Sequence, residues 1–165
     1  MKKYSILAIA MCLSSVGETQ AHSAAVATYQ LAQQQNGNWT LTISVPLGGL
    51  HQALLKHHQE SELWTDKGKY NLELANSYLI NHSEIIVNNA TTVKLAAIKT
   101  NLDDHQSDFV FSASNVPAQV NKVTFNIDAM SENPGHINIA RLKGITGAKK
   151  VILQYANDYQ ASLVL

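Results

Sequence analysis

Alternation of apolar and polar residues is the dominant pattern of this chain, and it predicts β-strands. In residues 121–129 every second position is apolar, and polar residues stand between them. Residues 108–116 follow the same period of two, with Phe109 and Phe111 on one side. This period is typical of a strand that buries one face. Only residues 117–120 separate the two segments, which predicts that they pair as adjacent antiparallel strands.

A hairpin is predicted near the start of the chain. Residues 25–31 and 39–45 both alternate, and an Asn-Gly pair lies between them, which is a strong hairpin signal. A three-residue loop at 36–38 would place Leu31 opposite Ile43 and give the hairpin one uniformly apolar face. We therefore expect that loop, with a residue of positive φ inside it.

The pattern then becomes helical before it returns to alternation. Leucines recur at three- and four-residue spacing after Pro46, which predicts a helix over residues 50–62. A similar stripe predicts a second helix over residues 71–82. Alternation resumes at residue 84, and the apolar positions change parity within residues 93–102. A β-bulge or an edge position would explain that change.

Together these segments amount to eight or nine short strands with a two-helix insertion after the second strand. The predicted fold is mainly β: an antiparallel β-sandwich of immunoglobulin-like form. An incomplete barrel is the main alternative. The chain contains no convincing internal repeat or interdomain linker.

The first 21 residues are typical of an export signal. Two lysines precede an apolar stretch at residues 6–13, which is too short to span a bilayer. Cleavage after Ala21 would leave residues 22–165 as a single domain, and cleavage after Ala25 is the competing site. The lysine-led signal indicates a bacterial periplasmic protein. No later segment is apolar enough to predict stable membrane insertion after signal cleavage.

Composition excludes several functional classes. The only cysteine, Cys12, lies within the signal, so the mature domain has no disulfide, thiolate zinc site or cysteine nucleophile. Basic and acidic residues are balanced at 12 each, and Arg141 is the only arginine. A basic stripe for nucleic acid is therefore not expected. No serine lies in a nucleophile elbow and no glycine-rich phosphate loop is present, so the sequence does not indicate an enzyme.

Histidine is the only abundant residue type that could form a site. After cleavage at Ala21, His22 would be the first residue of the mature protein and would offer both its α-amine and its ring Nδ1 to a metal. A second histidine, for which His136 is the candidate, would complete a three-nitrogen site suited to Cu(II). The amine has a reference pKa of about 7.7 to 8, so a metal can displace its proton near neutral pH. The alternative is a frayed terminus that begins with histidine by chance.

The remaining histidines have simpler interpretations. His51, His57 and His58 lie on the first predicted helix at spacings of seven and one, whereas two ligands of one ion need a spacing of three or four. They are expected to form a solvated polar face. His136 follows an Asn-Pro-Gly turn, where a structural role in the turn is the alternative to metal binding.

Four pieces of the chain carry a resemblance to known proteins: Ala21-His22, residues 39–45, residues 50–55, and the segment His136-Ile137-Asn138-Ile139. In this layout the chain resembles a family of small exported domains of unknown function. It is also similar to the exported N-terminal domains of hydrogenase and urease accessory membrane proteins. That resemblance implies a small β-sandwich domain and a role in the traffic of nickel or another metal.

The sequence therefore predicts an exported periplasmic binding or interaction module without catalytic activity. Its partner would be an unidentified protein or another component of the cell envelope. The alternative is a periplasmic protein that binds copper or nickel through His22 and His136. An enzyme is the third hypothesis.

Overall fold

Two β-sheets form the protein, and two α-helices are inserted between the second and third strands. A computed structural model describes residues 26–103, 105–144 and 147–165. The strands are β1 (Val26–Gln33), β2 (Trp39–Val45), β3 (Ser83–Val87), β4 (Thr91–Thr92), β5 (Lys94–Asn101), β6 (Ser107–Ser114), β7 (Lys122–Ile127), β8 (Ile137–Gly144), β9 (Gly147–Leu153) and β10 (Gln160–Val164). The helices are α1 (Leu47–Leu54) and α2 (Leu72–Asn81), with 3₁₀ turns at Glu60–Leu63 and Tyr155–Asn157.

The sheets differ in size and in the direction of one pairing. The larger sheet has six strands in the order β5-β6-β2-β1-β8-β9, and the smaller has four in the order β10-β7-β3-β4. Among the described strands every pairing is antiparallel except that of β1 with β8, which is parallel. The mainly β fold with a two-helix insertion is confirmed. The prediction that all strands pair antiparallel was wrong for this one pair, because local alternation carries no information about strand direction.

The two segments predicted to be neighbours, now β6 and β7, lie in different sheets. β6 pairs with β2 and β5, whereas β7 pairs with β3 and β10. The prediction that they pair directly was wrong, because the connection between them passes from one sheet to the other. Their inward faces nevertheless meet the same core, since Phe109, Phe111 and Phe125 are all fully buried.

The first hairpin has the expected faces but a different register. Leu31 lies opposite Leu41, not Ile43. The chain turns earlier than predicted, at a turn in which the Gly37 amide donates to the Gln34 carbonyl at 2.9 Å. Gly37 has φ +84°, so the expected positive-φ residue is present. A shift of two residues leaves every side chain on its original face, which is why the apolar pattern could not detect it.

The helical insertion, residues 47–82, is only partly as predicted. The first helix begins directly after Pro46 and ends at Leu54, well short of residue 62. The second helix matches the prediction closely. The Asn71 side chain caps its start by accepting from the Leu74 amide at 3.2 Å, and His82 ends it.

The parity change in the fifth strand has the physical origin that the sequence suggested. The pairing of β5 with β6 shifts between Ala97 and Lys99, which is the signature of a bulge at Ile98. β5 is also an edge strand of the larger sheet. Ile98 is 60% exposed, so the extra residue points its side chain to solvent.

The core lies between the two sheets and extends beneath the insertion. It includes Tyr29 and Phe111 from the larger sheet, Phe125 from the smaller, and Leu50 and Leu79 from the helices. Within the described ranges no helix is long and apolar enough to cross a bilayer.

Candidate functional site

The predicted metal site cannot be assembled from the structure, because His22 lies outside the described residues. Its proposed partner His136 is described and is almost completely buried, with 2% exposure. It lies at the entrance to β8, where the Asn-Pro-Gly turn delivers it into the core.

Asn138 makes one ring nitrogen of His136 a hydrogen-bond donor. The Asn138 amide nitrogen donates to the carbonyl oxygens of Ile127 and Ala129, each at 3.0 Å. Its Oδ1 must therefore act as an acceptor, and it lies 2.8 Å from His136 Nε2. His136 Nε2 therefore carries a proton and donates it to Asn138. Ligation of a metal through Nε2 would break this hydrogen bond. The metal hypothesis as a whole stays a prediction.

The inward position of Asn138 was not anticipated. Its apolar neighbours Ile137 and Ile139 are the more conspicuous residues in the sequence, but both are only partly buried and point outward. Asn138 shares the buried side of β8 with Ala140 and Leu142. The sequence did contain a signal for this role, because a polar residue in phase with buried apolar ones must find hydrogen-bond partners in the core.

Histidine and carboxylate side chains pair repeatedly around the helical insertion. His57 donates to Glu132 at 2.8 Å and His82 donates to Asp128 at 2.9 Å, and both pairs join the insertion to the segment between β7 and β8. The remaining two pairs lie within the insertion. They are His58–Glu62 at 3.0 Å and His51–Glu60 at 3.4 Å. Each histidine that was predicted to lie on a solvated face therefore has a carboxylate within 4 Å.

Tyr78 stands at the centre of the contacts that bridge the insertion and the sandwich. Its hydroxyl donates to Glu132 at 3.1 Å and accepts from the Met130 amide at 2.7 Å. Met130 has φ +61°, a conformation that a non-glycine residue rarely adopts. The ring of Tyr78 also packs against that of His82, with centroids 4.4 Å apart. α2 thus holds the strained segment in place.

Burial and hydrogen bonding have opposite effects on the acids of this cluster. Burial raises the pKa of Tyr78 and nearby carboxylates raise it further, so the phenol stays protonated and remains a donor. Burial would also raise the pKa of Glu132. Hydrogen bonds from His57, from its own backbone and from Tyr78 outweigh that effect and hold the pKa below its usual value. Glu132 is therefore a stable acceptor for both neighbours.

The contacts of this cluster hold the helical insertion against the sandwich. They leave few of its side chains available for binding or catalysis. Among the described residues no group of three or more histidine, cysteine, aspartate or glutamate side chains could hold a metal ion. An open depression of 750 Å³ lies at residues 65–73 and Leu102, and no side chain of the cluster lines it. The ring nitrogens of His57 and His82 that face Glu132 and Asp128 are committed to those carboxylates.

A second candidate lies on the outer face of the larger sheet, where β8 and β9 pair. Arg141 is directly opposite Lys150, and Lys143 is on the next rung along β8. All three are exposed, and the residues that alternate with Arg141 and Lys143 on β8, Ala140 and Leu142, occupy the buried side. We call Arg141, Lys143 and Lys150 the basic patch.

Within residues 26–103, 105–144 and 147–165 the basic patch has no acidic partner. Every ion pair within the described part of the chain involves histidine, so none of the three cations lies within 4 Å of a carboxylate. The register of the sheet places Asp108 on the same outer face, but two strands, β1 and β2, separate its strand from β8. Its carboxylate accepts a 2.5 Å hydrogen bond from the Ser44 hydroxyl. Aliphatic side chains border the patch on the other side, since the neighbouring rung pairs Ile139 with Ile152.

Comparisons with known proteins assign no family. The chain matches no family model, and no curated protein matches it either. The basic patch and the histidine–carboxylate cluster are therefore interpreted from their own chemistry.

Proposed function

We propose that this protein is an exported, non-catalytic binding module of the bacterial periplasm and that it binds an anionic partner through the basic patch. The lysine-led N-terminus supports the location. An immunoglobulin-like form of the sandwich belongs to the same proposal, and the two sheets with inward-facing aromatic residues support it.

The observation that carries the proposal is the placement of Arg141 directly opposite Lys150. Like charges opposite one another on neighbouring strands are destabilising, by a few tenths of a kcal/mol up to about 1 kcal/mol. Among the residues that the structure describes, no carboxylate within 4 Å offsets this repulsion. A surface that costs stability is typical of a binding site.

Charge removal tests whether the patch has a structural or a binding role. We expect the double variant R141Q/K150Q to equal or exceed the native protein in free energy of unfolding, by up to about 1 kcal/mol, because repulsion is relieved. Urea unfolding measures this difference. The control K67Q/K69Q removes two cations from an exposed turn and should leave stability unchanged. A loss of more than about 1 kcal/mol in R141Q/K150Q would show that the patch serves the fold.

A further inference from the structure

We infer that the anionic partner is a phospholipid bilayer surface, whose phosphate groups the basic patch contacts reversibly. This inference rests on the proposed function and names the partner of the same site.

The three cations are close enough to act on one group of phosphates. Paired strands lie about 4.8 Å apart and successive rungs on one face about 6.6 Å apart, so the three backbone positions fall within about 8 Å of one another. The Arg141 guanidinium can donate to two phosphate oxygens at once, and the two lysines add point charges. Gln30 lies beside Arg141 on β1 and offers an amide donor at the border of the patch.

The side chains next to the patch favour a lipid over an acidic protein. Along β9 the exposed residues run from Lys150 to Ile152, which is 52% exposed. Tyr155 lies two residues beyond the end of the strand and is 87% exposed. Cationic, aliphatic and aromatic side chains together suit a bilayer surface, where phosphates attract cations, acyl chains accept aliphatic groups and tyrosine is enriched at the headgroup level. Asp158 is the one acidic residue in the following turn, so the region retains a net positive charge.

The affinity expected from this arrangement is modest and salt-dependent. Each lysine or arginine near an anionic surface contributes roughly a fivefold gain in partitioning, so three cations give on the order of 100-fold. Salt screens these contributions. The binding is peripheral, because within the described ranges no helix could span the bilayer.

Vesicle sedimentation with the full mature chain tests the inference. We expect binding to vesicles of phosphatidylcholine mixed with phosphatidylglycerol, no binding to pure phosphatidylcholine, and release at high salt. The variant R141Q/K143Q/K150Q should bind on the order of 100-fold more weakly. The control K67Q/K69Q/K94Q removes three exposed cations elsewhere and should retain most of the native affinity for the vesicles. The variant I152S should bind severalfold more weakly, since it removes aliphatic contact with the lipid.

Other results would overturn the inference. Equal loss in both triple variants would indicate attraction to net charge alone. Displacement of the protein from vesicles by millimolar inorganic phosphate would indicate a site for a free anion, and tighter binding to poly-glutamate than to the vesicles would indicate an acidic protein partner. If the native protein does not bind the vesicles while R141Q/K150Q remains fully stable, the lipid inference fails and the binding-module proposal survives. Destabilisation of R141Q/K150Q would instead remove the proposal itself.

Discussion

A single buried amide links the two sheets at one end of the molecule. Asn138 belongs to β8 in the larger sheet, and both carbonyls that it serves lie at or just beyond the end of β7 in the smaller sheet. The same side chain accepts from His136. In a low-dielectric core each of these groups would be costly if left without a partner, so this small network fixes how the sheets meet.

Replacement of Asn138 by alanine tests this role. The variant leaves two buried carbonyls and one imidazole N–H without their partner, so we expect a loss of about 3 kcal/mol in the free energy of unfolding. Urea unfolding measures the loss. The control N126A removes an exposed amide that donates to Glu84 at 3.3 Å, and it should cost less than about 0.5 kcal/mol. Equal stability of N138A and native protein would contradict the assigned network.

Glu132 should contribute to acid sensitivity. Its pKa is held below the usual value in the folded protein, so its stabilising contribution is fully present above the unfolded pKa of about 4.3 and is lost as pH falls through the folded pKa. The variant E132Q cannot lose that contribution. We expect its free energy of unfolding to fall less steeply than that of native protein between about pH 5 and pH 3.

Urea midpoints measured across this pH range provide the comparison. The control D66N removes an exposed carboxylate in the turn before Lys67 and should keep the native slope. A native slope in E132Q would mean that its hydrogen bonds to His57 and Tyr78 do not favour the charged form.

At the residue scale the sequence identified types of side chain better than their roles. It singled out the histidines because few other residues could form a site. It did not foresee that His136 is enclosed by the fold, nor that His57 would meet Glu132, because that contact joins residues 75 positions apart. Long-range partners of this kind depend on the packing of elements, which a local pattern does not encode.

At the scale of elements, the first helix carries an identifiable weakness. Gly48 lies in the first turn of α1, and a Cβ added there would meet nothing within 4 Å. We expect G48A to raise the free energy of unfolding by about 0.5 to 1 kcal/mol, because alanine has less conformational freedom to lose. The matched variant G37A places alanine at φ +84° in the first hairpin and should lower stability by about 1 kcal/mol.

Thermal unfolding of both variants would test these opposite signs. If G48A were destabilising, the start of α1 would require a backbone conformation that alanine resists. If G37A were neutral, the hairpin would have a different turn.

Whether the prediction of each helix or strand was right depends on the information that a local sequence pattern carries. The second helix was predicted almost exactly, because its cap at Asn71 and its apolar stripe agree. The bulge at Ile98 was detectable because it inverts the parity of β5. The first helix was predicted too long, since the leucine stripe continues in a region that the structure resolves into turns and a 3₁₀ segment. The pairing of β6 with β7 was wrong because closeness along the chain was taken for closeness in one sheet.

At the scale of the whole molecule, the first residue of the mature chain decides whether the predicted metal site at His22 can form. We expect mass spectrometry of protein purified from the periplasm to show a chain beginning at His22. Under the alternative metal hypothesis, titration of that protein with Cu(II) and Ni(II) shows binding that disappears when one alanine is added before His22, because the α-amine and the ring no longer form one chelate. No binding above background removes that hypothesis. A chain that begins at Val26, after cleavage at Ala25, lacks this histidine and would remove the hypothesis.

The parallel pairing of β1 with β8 ties the earliest described strand to one that follows more than a hundred residues later. β1 and β8 are direct neighbours in the larger sheet, so one edge of β1 has no strand partner until the chain has been synthesised as far as Lys143. Until then the backbone groups along that edge of β1 are left to water. Because this pairing joins distant parts of the chain, we expect its closure to be slow, and the larger sheet is complete only after β9 has paired with β8.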